Sequence, residues 1–283
     1  MSSLLEVRDL SIQFPGRLET VTSVDRLSFS IDPGETLAIV GESGCGKTVT
    51  GLALMGLLPT ARVVGSAKLG GEEVLGLAPY SRRRLHGRRM GMVFQDPMTA
   101  LNPVQTIGAQ IVEAIRADGR VGRAAAAERA LELLRLVRFP EPEARLNEYP
   151  HRLSGGMRQR VVIAVALARE PALLIADEPT TALDVTIQAQ ILQLLIRLKN
   201  ELGMSLLLIS HDLAVVAETA DRVLVMYAGK AVEEQPVVDL FDRPRHAYTR
   251  ALLDARPQAR PRSGKRPRLR EVGDAVPRQV AAC

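Results

Sequence analysis

The segment Gly41-Glu42-Ser43-Gly44-Cys45-Gly46-Lys47-Thr48 stands between a continuous apolar run, Thr36 to Val40, and a stretch of helical periodicity from Lys47 to Leu57. Glycines at this spacing let backbone N–H groups close around phosphate oxygens, and a helix starting there turns its positive end toward the anion. Lys47 then reaches the β and γ phosphates of a nucleotide, and Thr48 supplies a hydroxyl to Mg²⁺. Cys45 occupies a place that needs a small side chain and reads as a space-filler, with redox sensing as the alternative.

Further apolar runs end in groups suited to the same chemistry. Asp177 and Glu178 follow Ala172 to Ala176, at what a parallel sheet makes its ligand-binding carboxyl edge. They can divide the labour: Asp177 holds Mg²⁺ through water, and Glu178 polarises the water that attacks the γ phosphate. His211 follows the run Ser205 to Ser210 and is expected to sense that phosphate. Gln95, after Met90 to Phe94, takes its meaning from this set.

A second anion cradle lies at Leu153-Ser154-Gly155-Gly156-Met157-Arg158-Gln159-Arg160, ahead of the apolar stretch Val161 to Ala168. Ser154 is a good N-cap and Gly155 and Gly156 expose backbone N–H groups, so a helix starting here is again open to an anion. One nucleotide does not need two cradles. A head-to-tail dimer is the economical solution, each chain's second cradle closing over the nucleotide held in the other chain's first.

These groups need a scaffold. Leu5, Val7, Leu10, Ile12 and Phe14 alternate with polar residues, and after Pro15 and Gly16 the alternation resumes at Val24, Leu27, Phe29 and Ile31, which predicts antiparallel strands. The continuous apolar runs predict buried parallel strands. From about 96 to 170 helical periodicity takes over, including Gly122 to Val137, as an inserted subdomain. Thr186 to Leu202 carries Ile187, Ile191, Leu194, Leu195 and Leu198 at helical spacing. Arg222 to Met226 and Lys230 to Glu234 flank Ala228 and Gly229 as a hairpin, and a short helix is expected near His246 to Asp254. The expected fold class is α/β, with an antiparallel β subdomain and a helical insertion.

At 283 residues the chain exceeds one ordinary domain of about 150 and suits one elaborated domain, 1–254, with an appendage, 255–283. Hydrophobic residues at 46% and charged residues at 24% exclude wholesale disorder and disulfide-stapled miniproteins. Aromatics at 3%, with no Trp, weigh against a single-stranded nucleic-acid binder that stacks bases. The longest apolar run, Val161 to Ala168, falls far short of the roughly 20 residues a bilayer demands, and MSSLLEVRDL lacks a basic segment followed by an apolar one. Neither a spanning segment nor a signal peptide is therefore expected. Cys45 and Cys283 make neither a metal cluster nor a disulfide framework, and a reducing cytoplasm is the default. The net charge of +5 is concentrated in Arg256, Arg260, Arg262, Lys265, Arg266, Arg268 and Arg270, which contribute +7 and leave the remainder near −2. Such a tail reads as a solvated disordered end, with nucleic acid or anionic lipid as the other partners it suits.

Taken in order, these residues resemble the nucleotide-binding domain of ATP-binding cassette (ABC) proteins over about residues 4–254. The resemblance implies a P-loop NTPase fold that binds ATP and Mg²⁺ and hydrolyses ATP. On that likeness the Walker A loop is Gly41 to Thr48, the Q-loop residue is Gln95 with a catalytic and metal role, and the signature is Leu153 to Arg160. Walker B is Leu173 to Asp177 followed by the catalytic Glu178, the D-loop is Ala182-Leu183-Asp184 with Asp184 at the nucleotide, and the H-loop is His211. Phe14 corresponds to the aromatic that stacks on adenine, and Met157 departs from the commonest signature, which has Gln there.

Finer wording is similar to the dipeptide, oligopeptide and nickel importer ATPases: Phe94-Gln95-Asp96-Pro97, Ala100-Leu101-Asn102-Pro103, Ala176 to Asp184, and His246-Ala247-Tyr248-Thr249-Arg250. Many peptide-importing members carry a C-terminal extension with several cysteines; with only Cys283 here, that extension is expected to be absent or degenerate, which tilts the cargo slightly toward nickel or metal chelates. The resemblance implies two separate integral membrane permease subunits, a second ABC ATPase chain, homologous or identical, and an extracytoplasmic substrate-binding protein. It places this chain peripherally on the cytoplasmic face of the cell membrane and implies no nucleic acid. The rival reading is a non-transport ABC ATPase acting on nucleic acid or the ribosome. Repair members separate the two halves of the ATPase with a long coiled coil and translation members carry two cassettes, whereas here Gln95 and Ser154 are 59 positions apart in a single cassette. A simple P-loop kinase leaves the second cradle and His211 unexplained.

Overall fold

A computed structural model describes residues 3–16, 19–77, 89–117, 119–181 and 183–255. Ala182 of the expected D-loop and residues 256–283 of the basic tail lie outside the described residues. The chain opens with β1 (Leu5–Pro15) and β2 (Thr20–Ile31), enters β3 (Thr36–Val40) and passes through the glycine loop into α1 (Lys47–Leu54). β4 (Arg62–Leu69), β5 (Glu72–Glu73) and β6 (Met90–Val93) follow. Next come α2 (Pro97–Ala100), α3 (Ile107–Arg116), α4 (Arg123–Leu136), α5 (Pro142–Arg145) and α6 (Gly155–Leu167). The chain then alternates β7 (Leu173–Asp177), α7 (Val185–Leu202), β8 (Ser205–Ile209), α8 (Leu213–Thr219) and β9 (Arg222–Tyr227). It finishes with β10 (Lys230–Pro236), α9 (Val237–Asp242) and α10 (Ala247–Asp254).

The strands form two sheets, an antiparallel one in the order β2-β1-β4-β5 and a second in the order β10-β9-β3-β8-β7-β6. In the second, all neighbours run parallel except the hairpin partner β10. Its central strands β3, β7 and β8 are buried throughout, because both faces are covered, and apolar except at Thr36, Asp177 and Ser205 at their ends. On β3, Leu37 and Ile39 join a cluster with α1 and the antiparallel sheet, while Ala38 and Val40 join a cluster with α3, α4, α6, α7 and α8. Each fully buried Leu or Ile in these layers contributes about 1.5–3 kcal/mol of transfer free energy.

Register aligns the functional ends. Ala38 lies opposite Leu208, Leu208 opposite Ala176, and Ala176 opposite Val93. The carboxyl ends of β3, β8, β7 and β6 therefore emerge on one edge, and the glycine loop, His211, Asp177 with Glu178, and Gln95 all leave from it.

Differences from the sequence reading have local causes. β4 and β5 were not anticipated: in β4 only Ala67 and Leu69 are buried, so no alternation marks it. α1 stops at Leu54 instead of Leu57, since Gly56 takes φ 59 and ends the helical run. The start of α6 at Gly155, behind the Ser154 cap, is the one the sequence reading expects.

Candidate active site

The glycine loop is confined by backbone on its outer side. At Gly46, φ is 101 and an added Cβ would stand 2.7 Å from the Ser23 carbonyl, so only glycine fits. Gly46 is also the N-cap of α1, where no side chain caps the helix and no acid lies in its first turn. The helix thus offers free N–H groups and an unneutralised positive end to an anion. Lys47, 5% exposed, folds back so that its Nζ donates to the carbonyls of Gly41 and Glu42, both at 2.8 Å. Carbonyl acceptors of this kind are exchangeable for phosphate oxygens. Ser43 and Gly44 complete the exposed rim of the loop, with Gly44 at φ 81. Cys45 is buried, and burial raises its thiol against the pull of Lys47, so the sulfur is a protonated filler and a poor nucleophile.

Thr48 Oγ1 donates to Asp177 Oδ1 at 3.0 Å, joining the first turn of α1 to the end of β7. Asp177 is 2% exposed, and burial pushes its carboxyl from 3.8 up to about 6; neighbouring Glu178 adds to the rise, while the Thr48 hydroxyl and Lys47 oppose it. Between about pH 4 and 6 the folded chain holds a proton that the unfolded chain has released, so stability falls as pH rises through that window. Above it the buried charge costs roughly 3 kcal/mol. Without nucleotide or Mg²⁺, Asp177→Asn should therefore melt several degrees above wild type at pH 7.5, with the gap closing below about pH 4. Thermal melts across pH decide it, and equal Tm values throughout would contradict the buried-charge account.

Glu178 has φ 42, and its N–H donates to the Ile209 carbonyl at 2.9 Å. Its carboxylate is held from three directions. Gln95 Nε2 donates to Oε2 at 3.0 Å, Thr181 Oγ1 donates to the same oxygen at 2.9 Å, and His211 Nδ1 lies 3.1 Å from Oε1. Residues following β6, β7 and β8 thus converge on one carboxylate, with His211 exposed and Glu178 mostly buried. A fixed carboxylate beside a phosphate site can orient a water and accept its proton.

Ser154 accepts a hydrogen bond from the Met157 N–H at 3.4 Å and opens α6, again with no acid in the first turn. The beginning of α6 rests on the beginning of α7: a Cβ at Gly155 would stand 3.2 Å from Leu183, and one at Gly156 2.7 Å from Ile187. Asp184 caps α7 by accepting from the Ile187 N–H at 3.0 Å. The second cradle and Asp184 therefore share one surface, beside a Val185 that is 83% exposed. Phe14 sits on β1 opposite Val21, half-buried against the apolar cluster that includes Cys45.

Two contacts escaped the sequence reading. Thr181 had one available signal, a hydroxyl three residues beyond an acid across a turn. Tyr248, whose Oη accepts from the Glu42 N–H at 3.0 Å, had none nearby in the chain.

Residues 24–181, more than half of the sequence, match the family model described as ABC transporter. The chain belongs to the ABC transporter family. Residues 232–283 of this ABC protein match the model described as oligopeptide/dipeptide transporter, C-terminal region. Of the two expectations for that extension, absent or degenerate, the match removes the first: the C-terminal region is present, with Cys283 as its one cysteine. The chain is 54% identical over 97% of its length to the "Probable peptide ABC transporter ATP-binding protein y4tR" of Sinorhizobium fredii, covering 82% of that protein. It is 52% identical over 90% of its length to the "Dipeptide transport ATP-binding protein DppD" of Haemophilus influenzae, covering 78% of it. Among solved structures, the ATP-binding cassette MJ0796, dimeric in a post-hydrolysis state with ADP and Pi, matches with a TM-score of 0.73 at 28% identity over 82% of this chain and 98% of that one. The fold of this ABC protein is accordingly a P-loop ATPase cassette, it binds ATP, and its family's reaction is ATP hydrolysis coupled to transport.

Proposed function

We propose that this chain is an ATP-hydrolysing subunit of an importer for dipeptides or oligopeptides. Transport names among the relatives and the match at residues 232–283 support that cargo. The slight tilt toward nickel or metal chelates, which rested on an absent or degenerate C-terminal extension, is weakened by the match there. The observation that carries the hydrolytic reading is the Glu178 carboxylate, fixed by Gln95, Thr181 and His211 next to the Thr48–Asp177 pair.

In this reading the loop from Gly41 to Lys47 and the N-terminus of α1 bind the phosphates, and Lys47 exchanges its two carbonyl partners for β and γ phosphate oxygens. Thr48 and Asp177 offer the hard oxygen donors that Mg²⁺ takes, and the burial that disfavours the ionised Asp177 alone is relieved by a cation. When bound there, Mg²⁺ supplies charge neutralisation for the phosphates. Glu178 orients the attacking water and accepts its proton, Gln95 and His211 keep that carboxylate aimed, and Phe14 stacks on the adenine.

Closure needs a second cassette, identical or related. Its Ser154, Gly155 and Gly156 meet the γ phosphate held here, with Asp184 at the shared surface, and the exposed Val185 gains cover. Among the described residues no helix is long and apolar enough to cross a membrane. In this reading two permease subunits and an extracytoplasmic substrate-binding protein are assigned to other chains and this one to the cytoplasmic face. Met98 and Val104, 57% and 79% exposed just beyond Gln95, form an apolar landing place for the permeases. Binding energy realised only in the closed dimer drives the cycle.

The test is a tagged Glu178→Gln chain purified from its own host in mild detergent with ATP. Integral membrane proteins and a second cassette should accompany it. Ribosomes or nucleic acid without membrane proteins would overturn the transport reading.

A further inference from the structure

One peptide unit of the glycine loop is held at both ends. The Gly41 carbonyl accepts from Lys47 Nζ at 2.8 Å, and the Glu42 N–H of that same planar unit donates to Tyr248 Oη at 3.0 Å. Tyr248 is buried, and its ring packs on Tyr227 with centroids 4.5 Å apart. Tyr227 ends β9 and follows Met226, whose carbonyl lies against Gly41. Burial raises the Tyr248 hydroxyl well above its ordinary value, so it is an uncharged partner at every working pH.

The tyrosine is itself held in place. Glu233, 8% exposed on β10, accepts from the backbone N–H of Arg245 at 2.7 Å and of His246 at 2.9 Å. His246 then caps α10, its Nδ1 accepting from the Tyr248 N–H at 3.2 Å. Hydrogen bonds thus run from β10, through the turn at 243–246 and the start of α10, to the phosphate loop. Glu233, Arg245, His246 and Tyr248 all fall within the stretch matched by the C-terminal family region.

We propose that Tyr248 is a positioning residue for the phosphate loop, its hydroxyl fixing the Gly41–Glu42 peptide plane and with it the shape of the loop, so that the C-terminal region is part of the nucleotide site. The proposal rests on ATP binding at that loop. The hydroxyl bonds the loop backbone at Glu42 and not Glu178, so its effect falls on nucleotide affinity and not on chemistry.

Tyr248→Phe in the full chain isolates the hydroxyl, since the ring can still pack on Tyr227. With ATP as the probe, Kd and KM should rise about threefold to tenfold, as for the loss of one ordinary hydrogen bond, while kcat at saturating ATP stays within about twofold. Hydrogen exchange at the Glu42 amide should accelerate in the same variant. Tyr248→Leu, which also loses the ring contact, should weaken binding further. Wild-type affinity in Tyr248→Phe, alone or beside a loss in Tyr248→Leu, would reduce the tyrosine to packing and overturn the proposal. Exchange in the nucleotide-free wild type checks the anchor without any variant: a Glu42 amide exchanging as fast as that of Ser43 contradicts it. Failure of the wild type to bind ATP is a different result, since it would count against the ATPase reading while leaving the amide comparison intact.

Discussion

Glu178→Gln should lower steady-state ATP turnover by at least about a hundredfold while leaving ATP affinity within a few-fold of wild type, the pattern for loss of a general base that does not hold the ground state. The amide keeps the size of the carboxylate and one acceptor oxygen for Gln95 and Thr181, yet it accepts no proton from water. It also loses the charge opposite His211 Nδ1, 3.1 Å away. With binding intact and hydrolysis blocked, nucleotide-driven closure has no exit, so the variant should accumulate as a dimer in ATP. Phosphate release and light scattering measure the two effects. Turnover within tenfold of wild type would remove Glu178 from its role.

Lys47→Ala should fail at the earlier step, with ATP affinity falling about 10- to 150-fold, the range of a charge-assisted contact worth about 1.5–3 kcal/mol. The ammonium is 5% exposed and already stationed at the loop by two carbonyls, so little of its binding energy goes into ordering the side chain. Titration with a fluorescent ATP analogue reads the loss, and an unchanged Kd would show that the backbone N–H groups suffice. The two variants separate cleanly: one binds and does not turn over, the other binds weakly.

What could be read from sequence was what lies close along it. The glycine loop, Asp177 with Glu178, and His211 were legible because each follows a continuous apolar run, and such runs become parallel strands whose ends share an edge. The N-cap at Ser154 was legible because capping is decided within three residues. β4 and β5 were not, because β4 buries little and offers no period of two. The clamp on Glu178 was half visible: Gln95 and His211 were named, but that they meet one carboxylate follows only from the order of β6, β7 and β8. The Glu42–Tyr248 bond spans 206 positions, and nothing in His246-Ala247-Tyr248-Thr249 announces a partner at the other end of the chain.

Glu178 also has a backbone that suits glycine better than glutamate. At φ 42 a residue with a side chain costs about 1 kcal/mol or more. The backbone strain at this position is a cost that stability alone would remove and turnover retains, so the two demands compete at a single codon. Lineages screened only for heat resistance should relax this position toward glycine or asparagine and lose turnover. Glutamate should persist where growth on the imported nutrient is what is screened.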